Sequence, residues 1–119
     1  KVEDFGIGFY TKYGDGGVDV SPIADLLKSE VFLMGKKLGV INSILNAAPT
    51  DGLWNDNRTD EDQIGATYEE LEWSMAFEGN IDDLNERQQE VLDIYNRLNK
   101  ANKHKMIPIP ICKIPNHLK

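Results

Sequence analysis

Lys12, Asp15 and Asp19 stand around a glycine-rich run, TKYGDGGVD, at residues 11–19. A cation and two carboxylates beside nearly bare backbone suit a polar ligand that comes close to the main chain. Gly14, Gly16 and Gly17 each lose extra backbone entropy on folding, so the run needs a compensating reason. Either the loop is a tight turn with positive φ, or a ligand takes the space that side chains would fill. Lys28 follows on the next helical pattern and adds a second cation, near a helix start where anions are favoured. A plain surface turn with solvated lysines is the competing reading of the same residues.

Other familiar chemistries fail on spacing. An EF-hand loop starting at Asp60 finds Asp62 and Gly65 in place but Ile64 and Leu71 where ligands belong. One starting at Asp15 meets Gly17 and Val20 at key positions. No Walker loop exists. Cys112 is the lone cysteine, with only His104 and His117 beside it in composition, so it reads as an inert thiol in a reducing cytoplasm.

Charge narrows the partners. The net charge of −7 argues against a nucleic-acid binder. Thr59 to Asp93 hold twelve acids against Arg87 alone, while Arg97 to Lys119 hold six cations and no acid. The acidic stretch reads as a solvated helix surface, and the basic one as a solvated helix end plus a strand, or as an anion contact. His104-Lys105 also suits a helix C-terminus, where the dipole favours cations. No apolar run approaches the about 20 residues of a membrane span.

The positioning elements follow from periodicity. Ser21-Pro22, or Asp25, opens a helix whose face carries Ile23, Leu27, Val31, Met34 and Leu38, closed by Gly39. A short helix spans about Val40 to Asn46. Asp51 to Ala66 reads as a long irregular lid. Thr67 and Glu70 form a capping box for a helix ending near Gly79. Asn80 caps another, with Leu84, Val91, Tyr95 and Leu98 as its core face. FGIGFY, residues 5–10, reads as the close of a helix or as a strand. The proline-alternating MIPIPICKIP is an edge strand or a strap. Taken alone the chain is mostly α with short strands, and its opening KVEDFGIGFY reads as the interior of a longer domain.

Four blocks in order, GFYTKYGDGGVDVSPIADLLKSEV, APTDGLW, TDEDQIGATYEEL and a late HK, together resemble the ammonia-dependent NAD synthetases. The resemblance is to their C-terminal half and covers nearly all of residues 1–119. It implies a ligase that adenylates the carboxylate of deamido-NAD (nicotinic acid adenine dinucleotide) with ATP and magnesium, then admits ammonia to give NAD and AMP. It implies an α/β fold of the adenine nucleotide alpha hydrolase type, with a Rossmann-like sheet, assembled as a cytoplasmic homodimer. Matched position by position, Lys12, Asp19, His104 and Lys105 are expected at deamido-NAD. Lys28 and Thr50 are expected at ATP, with Lys28 at the leaving pyrophosphate. Asp15 is the candidate to orient ammonia or take its proton. The magnesium carboxylate falls at Asp4, with Glu3 beside it as the alternative. The family's Ser-Gly-Gly-x-Asp-Ser pyrophosphate loop does not occur in these residues, so an isolated piece is expected to be inactive. A glutamine-dependent synthetase and a non-catalytic helical dimerisation module are the alternatives.

Overall fold

In the computed structural model of the chain, residues 5–50, 52 and 58–119 are described. They form five α-helices: α1 (Lys28–Lys37), α2 (Asn42–Leu45), α3 (Asp60–Ile64), α4 (Tyr68–Ala76) and α5 (Glu86–Met106). Single 3₁₀ turns lie at Ile81–Asp83 and Asn116–Leu118. Among the described residues there is no strand, which corrects the expectation of short ones. Phe5 and Gly6 close a helical turn, and residues 107–115 run as a strap without a pairing partner. Pro108, Pro110 and Pro115 remove the donors a ladder would need.

Polar side chains set the helix starts. Thr67 Oγ1 accepts from Glu70 N–H at 3.2 Å while Glu70 Oε2 accepts from Thr67 N–H at 2.9 Å, the expected capping box. Thr59 and Asp62 repeat the device at 3.1 and 2.9 Å and start α3 inside the segment expected to be irregular. Asn85 with Gln88 starts α5, while Asn80 caps only the 3₁₀ turn before it. The expected start of α1 at Ser21-Pro22 or Asp25 is also corrected. Residues 21–26 form separate turns, and Glu30 instead accepts from Leu27 N–H at 2.7 Å where α1 begins.

The core gathers where α4 and α5 cross the residue 5–10 segment. Ile7, Leu71 and Val91 are fully enclosed, joined by Ile64, Ala66 and Tyr68, with Phe9, Trp73, Ile94, Tyr95 and Leu98 against them. Truncating Leu71 or Ile7 to Ala would cost about 2–5 kcal/mol. By contrast α1 fully buries none of its residues: Leu27, Val31 and Met34 of its apolar stripe are half-buried, and Leu38 is exposed.

Three donors from one face of α5 hold the segment before the glycine loop. Asn99 donates to Gly6 O at 2.6 Å, Asn102 to Ile7 O at 2.9 Å and Lys105 to Gly8 O at 3.0 Å. Steps of three residues keep donors on one helix face, and here they match three successive carbonyls. Gly8 sits at φ +65°, and a Cβ there would stand 2.6 Å from Asn102 Cβ. This ladder brings the glycine loop to the C-terminal end of α5.

Candidate functional site

The glycine loop winds on the Thr11 carbonyl, which accepts from Gly14 N–H at 3.1 Å and from Gly16 N–H at 3.0 Å. Asp15 Oδ2 accepts from Thr11 N–H at 3.2 Å and closes the turn. None of the three loop glycines has a positive φ. The chain's own packing accounts for Gly16 instead: a Cβ there would lie 2.7 Å from both the Lys12 carbonyl and the Tyr10 ring.

Lys12 reaches across to α5 and donates to His104 O at 2.6 Å and to Ile107 O at 3.0 Å. The ammonium thereby meets the negative end of the helix dipole and the orphan carbonyls of the last turn. Tyr10 Oη donates to Lys105 O at 2.6 Å, and the Lys105 ammonium stands 5.9 Å from the Tyr10 ring centroid. Between these residues opens a cleft of about 410 Å³, lined by Lys12, Asp15 and Lys105 among polar groups and by Phe5, Tyr10, Tyr13, Val18, Val20 and Ile23. Two cations, one carboxylate and an aromatic wall fit an anionic ligand that carries a flat ring.

Of the residues expected at the dinucleotide, Lys12 and Lys105 therefore share a cleft with Asp15. His104 does not line that cleft: its carbonyl accepts from Lys12, and its ring Nδ1 lies 3.2 Å from Ala101 O on its own helix. Asp19 is exposed on the loop and is not among the residues that line the cleft.

Lys28 belongs to a second cleft, of about 310 Å³, lined by Lys28, Ser29 and Phe32 of α1 and by Glu61, Thr67, Tyr68, Glu69 and Glu72. Its ammonium lies 4.9 Å from the Tyr68 ring centroid and 5.9 Å from that of Phe32. Glu72 accepts from Ser29 N–H at 2.9 Å and from Ser29 Oγ at 2.7 Å. One of the first-turn donors of α1 is thus already held by a carboxylate. Thr50 is exposed, directly after Pro49, whose carbonyl accepts from Asp60 N–H at 2.8 Å. Asp4 and Glu3 lie outside the described residues, and so does part of the expected lid, namely Asp51 and residues 53–57, Trp54 among them. Its C-terminal part is folded: α3 is capped, and Ile64 and Ala66 are buried. Among the described residues no group of three or more His, Cys, Asp or Glu could hold a metal ion.

Arg87 ties the α3–α4 corner to α5. Its Nε and Nη2 each donate to Glu70 at 2.8 Å, Nη2 also reaches Gly65 O at 3.2 Å, and Nη1 donates to Glu90 at 2.8 Å. The bidentate guanidinium holds the Glu70 carboxyl down at about 2, against the opposing effect of partial burial. The residues that sequence reasoning missed are Tyr10, Tyr68 and the Asn99–Asn102 pair. The three-residue spacing of Asn99, Asn102 and Lys105 was the available signal, but amides on a polar helix look like a solvated face.

The family model for NAD synthase matches residues 1–108. Among curated proteins, the NH(3)-dependent NAD(+) synthetase of Alkaliphilus metalliredigens is 43% identical over 107 residues, spanning 90% of this chain and 40% of its own length. That of Mesoplasma florum is 41% identical over 105 residues, 88% of this chain and 40% of its own length. The Methanococcoides burtonii synthetase is 58% identical over 66 residues, 56% of this chain and 25% of its own length. The solved structure of NMN synthetase from Francisella tularensis superposes with a TM-score of 0.75 at 32% identity, covering 98% of this chain and 44% of that one. The chain thus spans less than half the length of these relatives. With matched residues running through both clefts, the chain belongs to the NAD synthase family.

Proposed function

We propose that this chain is the part of an ammonia-dependent NAD synthetase that holds deamido-NAD and one side of ATP. The observation that carries the reading is the convergence of Lys12, Asp15 and Lys105 on one cleft within a chain of this family. Lys12 and Lys105 offset the dinucleotide's negative charge. Tyr10 and Tyr13 supply faces for its rings. His104 and Asp19 are assigned to the same dinucleotide by the family resemblance alone, since neither lines the cleft. Across the molecule Lys28 and Thr50 face ATP.

The reaction is a ligase reaction in two steps. A carboxylate oxygen of deamido-NAD attacks the α-phosphorus of ATP, and the bond to pyrophosphate breaks. Lys28 offsets charge on that leaving group, where a preorganised cation is most effective. Ammonia then attacks the acyl carbon and AMP departs with the former carboxylate oxygen. Asp15 orients the ammonia and accepts a proton that the new amide loses. Magnesium, for which Asp4 or Glu3 supplies the hard oxygen ligand such an ion prefers, would lower the charge on the triphosphate. The complete protein is taken to have the family's α/β sheet and to work as a cytoplasmic homodimer.

A second reading is favoured by the Francisella tularensis structure, whose protein is an NMN synthetase: the substrate is then a mononucleotide. A glutamine-dependent synthetase is a further variant of the same chemistry. Purified full-length protein carrying this chain, supplied with ATP, ammonium and either deamido-NAD or nicotinic acid mononucleotide, separates the first two. Higher kcat/KM for deamido-NAD is expected. Preference for the mononucleotide would overturn the assignment.

A further inference from the structure

Lys28 and Thr50 are 22 positions apart and on different elements, yet they must meet one nucleotide if the ATP reading above is right. One side chain stands between them. Tyr68 is 8% exposed, at the first position of α4. Its ring centroid is 4.9 Å from the Lys28 ammonium. Its hydroxyl donates to Asp60 Oδ2 at 2.9 Å. The Asp60 N–H in turn donates at 2.8 Å to the carbonyl of Pro49, the residue before Thr50. Tyr68 N–H is held as well, donating to Glu61 Oε1 at 2.8 Å.

We infer that Tyr68 is a positioning residue for ATP, fixing the Lys28 ammonium through its ring and the Pro49–Thr50 peptide through its hydroxyl and Asp60. The inference rests on the ATP assignment of Lys28 and Thr50. Its physical basis is that a lysine side chain loses up to about 2 kcal/mol of rotamer entropy when ordered. A π face 4.9 Å from the ammonium adds an ordering contact to those it already has. Glu61, Glu69 and Glu72 line the same cleft, so losing the ring shifts the balance of contacts that sets where the ammonium stands. The capping of α3 and α4 and the Arg87 clamp keep the ring itself from turning away.

The test uses the full-length synthetase carrying this chain, with ATP varied at saturating deamido-NAD and ammonium. Wild type, Lys28→Ala, Tyr68→Phe, Tyr68→Leu and the Lys28→Ala/Tyr68→Leu double variant are compared. Tyr68→Leu is expected to raise KM for ATP by about 3- to 30-fold, the range of a cation–π contact converted to a ratio. Tyr68→Phe, which keeps the ring, stays within about threefold. The penalty of Lys28→Ala should shrink in the Tyr68→Leu background. Equal penalties in both backgrounds would overturn the positioning role while leaving the ATP reading intact. No effect of Lys28→Ala on its own would instead remove the ATP reading and this inference with it. A spectroscopic readout does not depend on how well Tyr68→Leu folds. In wild-type protein and in Tyr68→Phe, the Lys28 ε-methylene protons should be shifted upfield by the ring current. Random-coil positions for those protons would overturn the proposal.

Discussion

Lys12 and Lys28 are both cations beside aromatic rings, but they are held in ways that separate their expected phenotypes. Lys12 grips the carbonyls of His104 and Ile107 and lines the cleft given to deamido-NAD. Lys12→Ala should raise KM for deamido-NAD with little change in kcat, because the contact is shared by ground and transition states. It should also speed amide exchange in the last turn of α5, whose carbonyls lose their cap. Lys28→Ala should lower kcat by about 10²-fold, because charge builds at the leaving pyrophosphate. Steady-state kinetics on both variants checks the pair, and matching signatures would merge the two roles. These lysines were singled out by the family resemblance of the blocks that hold them, since spacing alone left a plain surface turn with solvated lysines as the competing reading. Tyr10 and Tyr68 were not. Tyr10 acts through a partner 95 positions away, and Tyr68 through packing of α1 on α4, neither of which leaves a local pattern.

The helix termini carry the next set of consequences. Glu70 closes the α4 capping box and receives both arms of Arg87. Its carboxyl titrates lower in the folded chain than in the unfolded one, so the unfolded state binds more protons as pH falls. The stabilisation is therefore complete above pH about 4.5 and is lost as pH drops toward about 2. Urea unfolding at pH 6 and pH 3 should show a smaller pH dependence in Glu70→Gln than in wild type. Thr67→Ala should cost about 1 kcal/mol through the lost cap. The fifth helix, its core face of Val91, Tyr95 and Leu98, and both Thr67 and Gly39 as punctuation were readable from periodicity and caps. α3 was overlooked although Thr59 and Asp62 carry a cap signature, because the surrounding polar residues suggested one long loop. Amides of Ile64 and Gly65 should accordingly be protected from hydrogen exchange before any ligand binds; free exchange there would restore the lid over its whole length. The apolar stripe of α1 was legible as a pattern but not in its depth of burial, since Leu27, Val31 and Met34 are only half-buried while Ile23 and Leu38 stay exposed.

At the scale of the whole molecule, the chain measures 61 × 41 × 32 Å with a radius of gyration of 17.7 Å, against about 13.5 Å for a compact domain of this length. Phe32, Leu33, Leu38, Ile41 and Ile44 on or beside α1 and α2 are exposed, as are Ile109, Ile111 and Ile114 on the strap. Exposed large apolar side chains in this number suit surfaces that another part of a protein covers. The chain covers 44% of the Francisella tularensis structure, and the rest of the family fold is the occupant expected for these faces. A hydrophobic dye should bind the 119-residue chain and bind much less to the full-length protein. The short chain alone should also make no NAD, since the pyrophosphate loop of the family is not among its residues. The central claim is that these residues serve amidation through an acyl-adenylate. Deamido-NAD labelled with ¹⁸O in its carboxylate tests it most directly, with ATP, ammonium and the full-length protein. The account predicts one ¹⁸O atom in AMP for each NAD formed. Label appearing in inorganic phosphate with ADP, or NAD formed with no label in AMP, would contradict it.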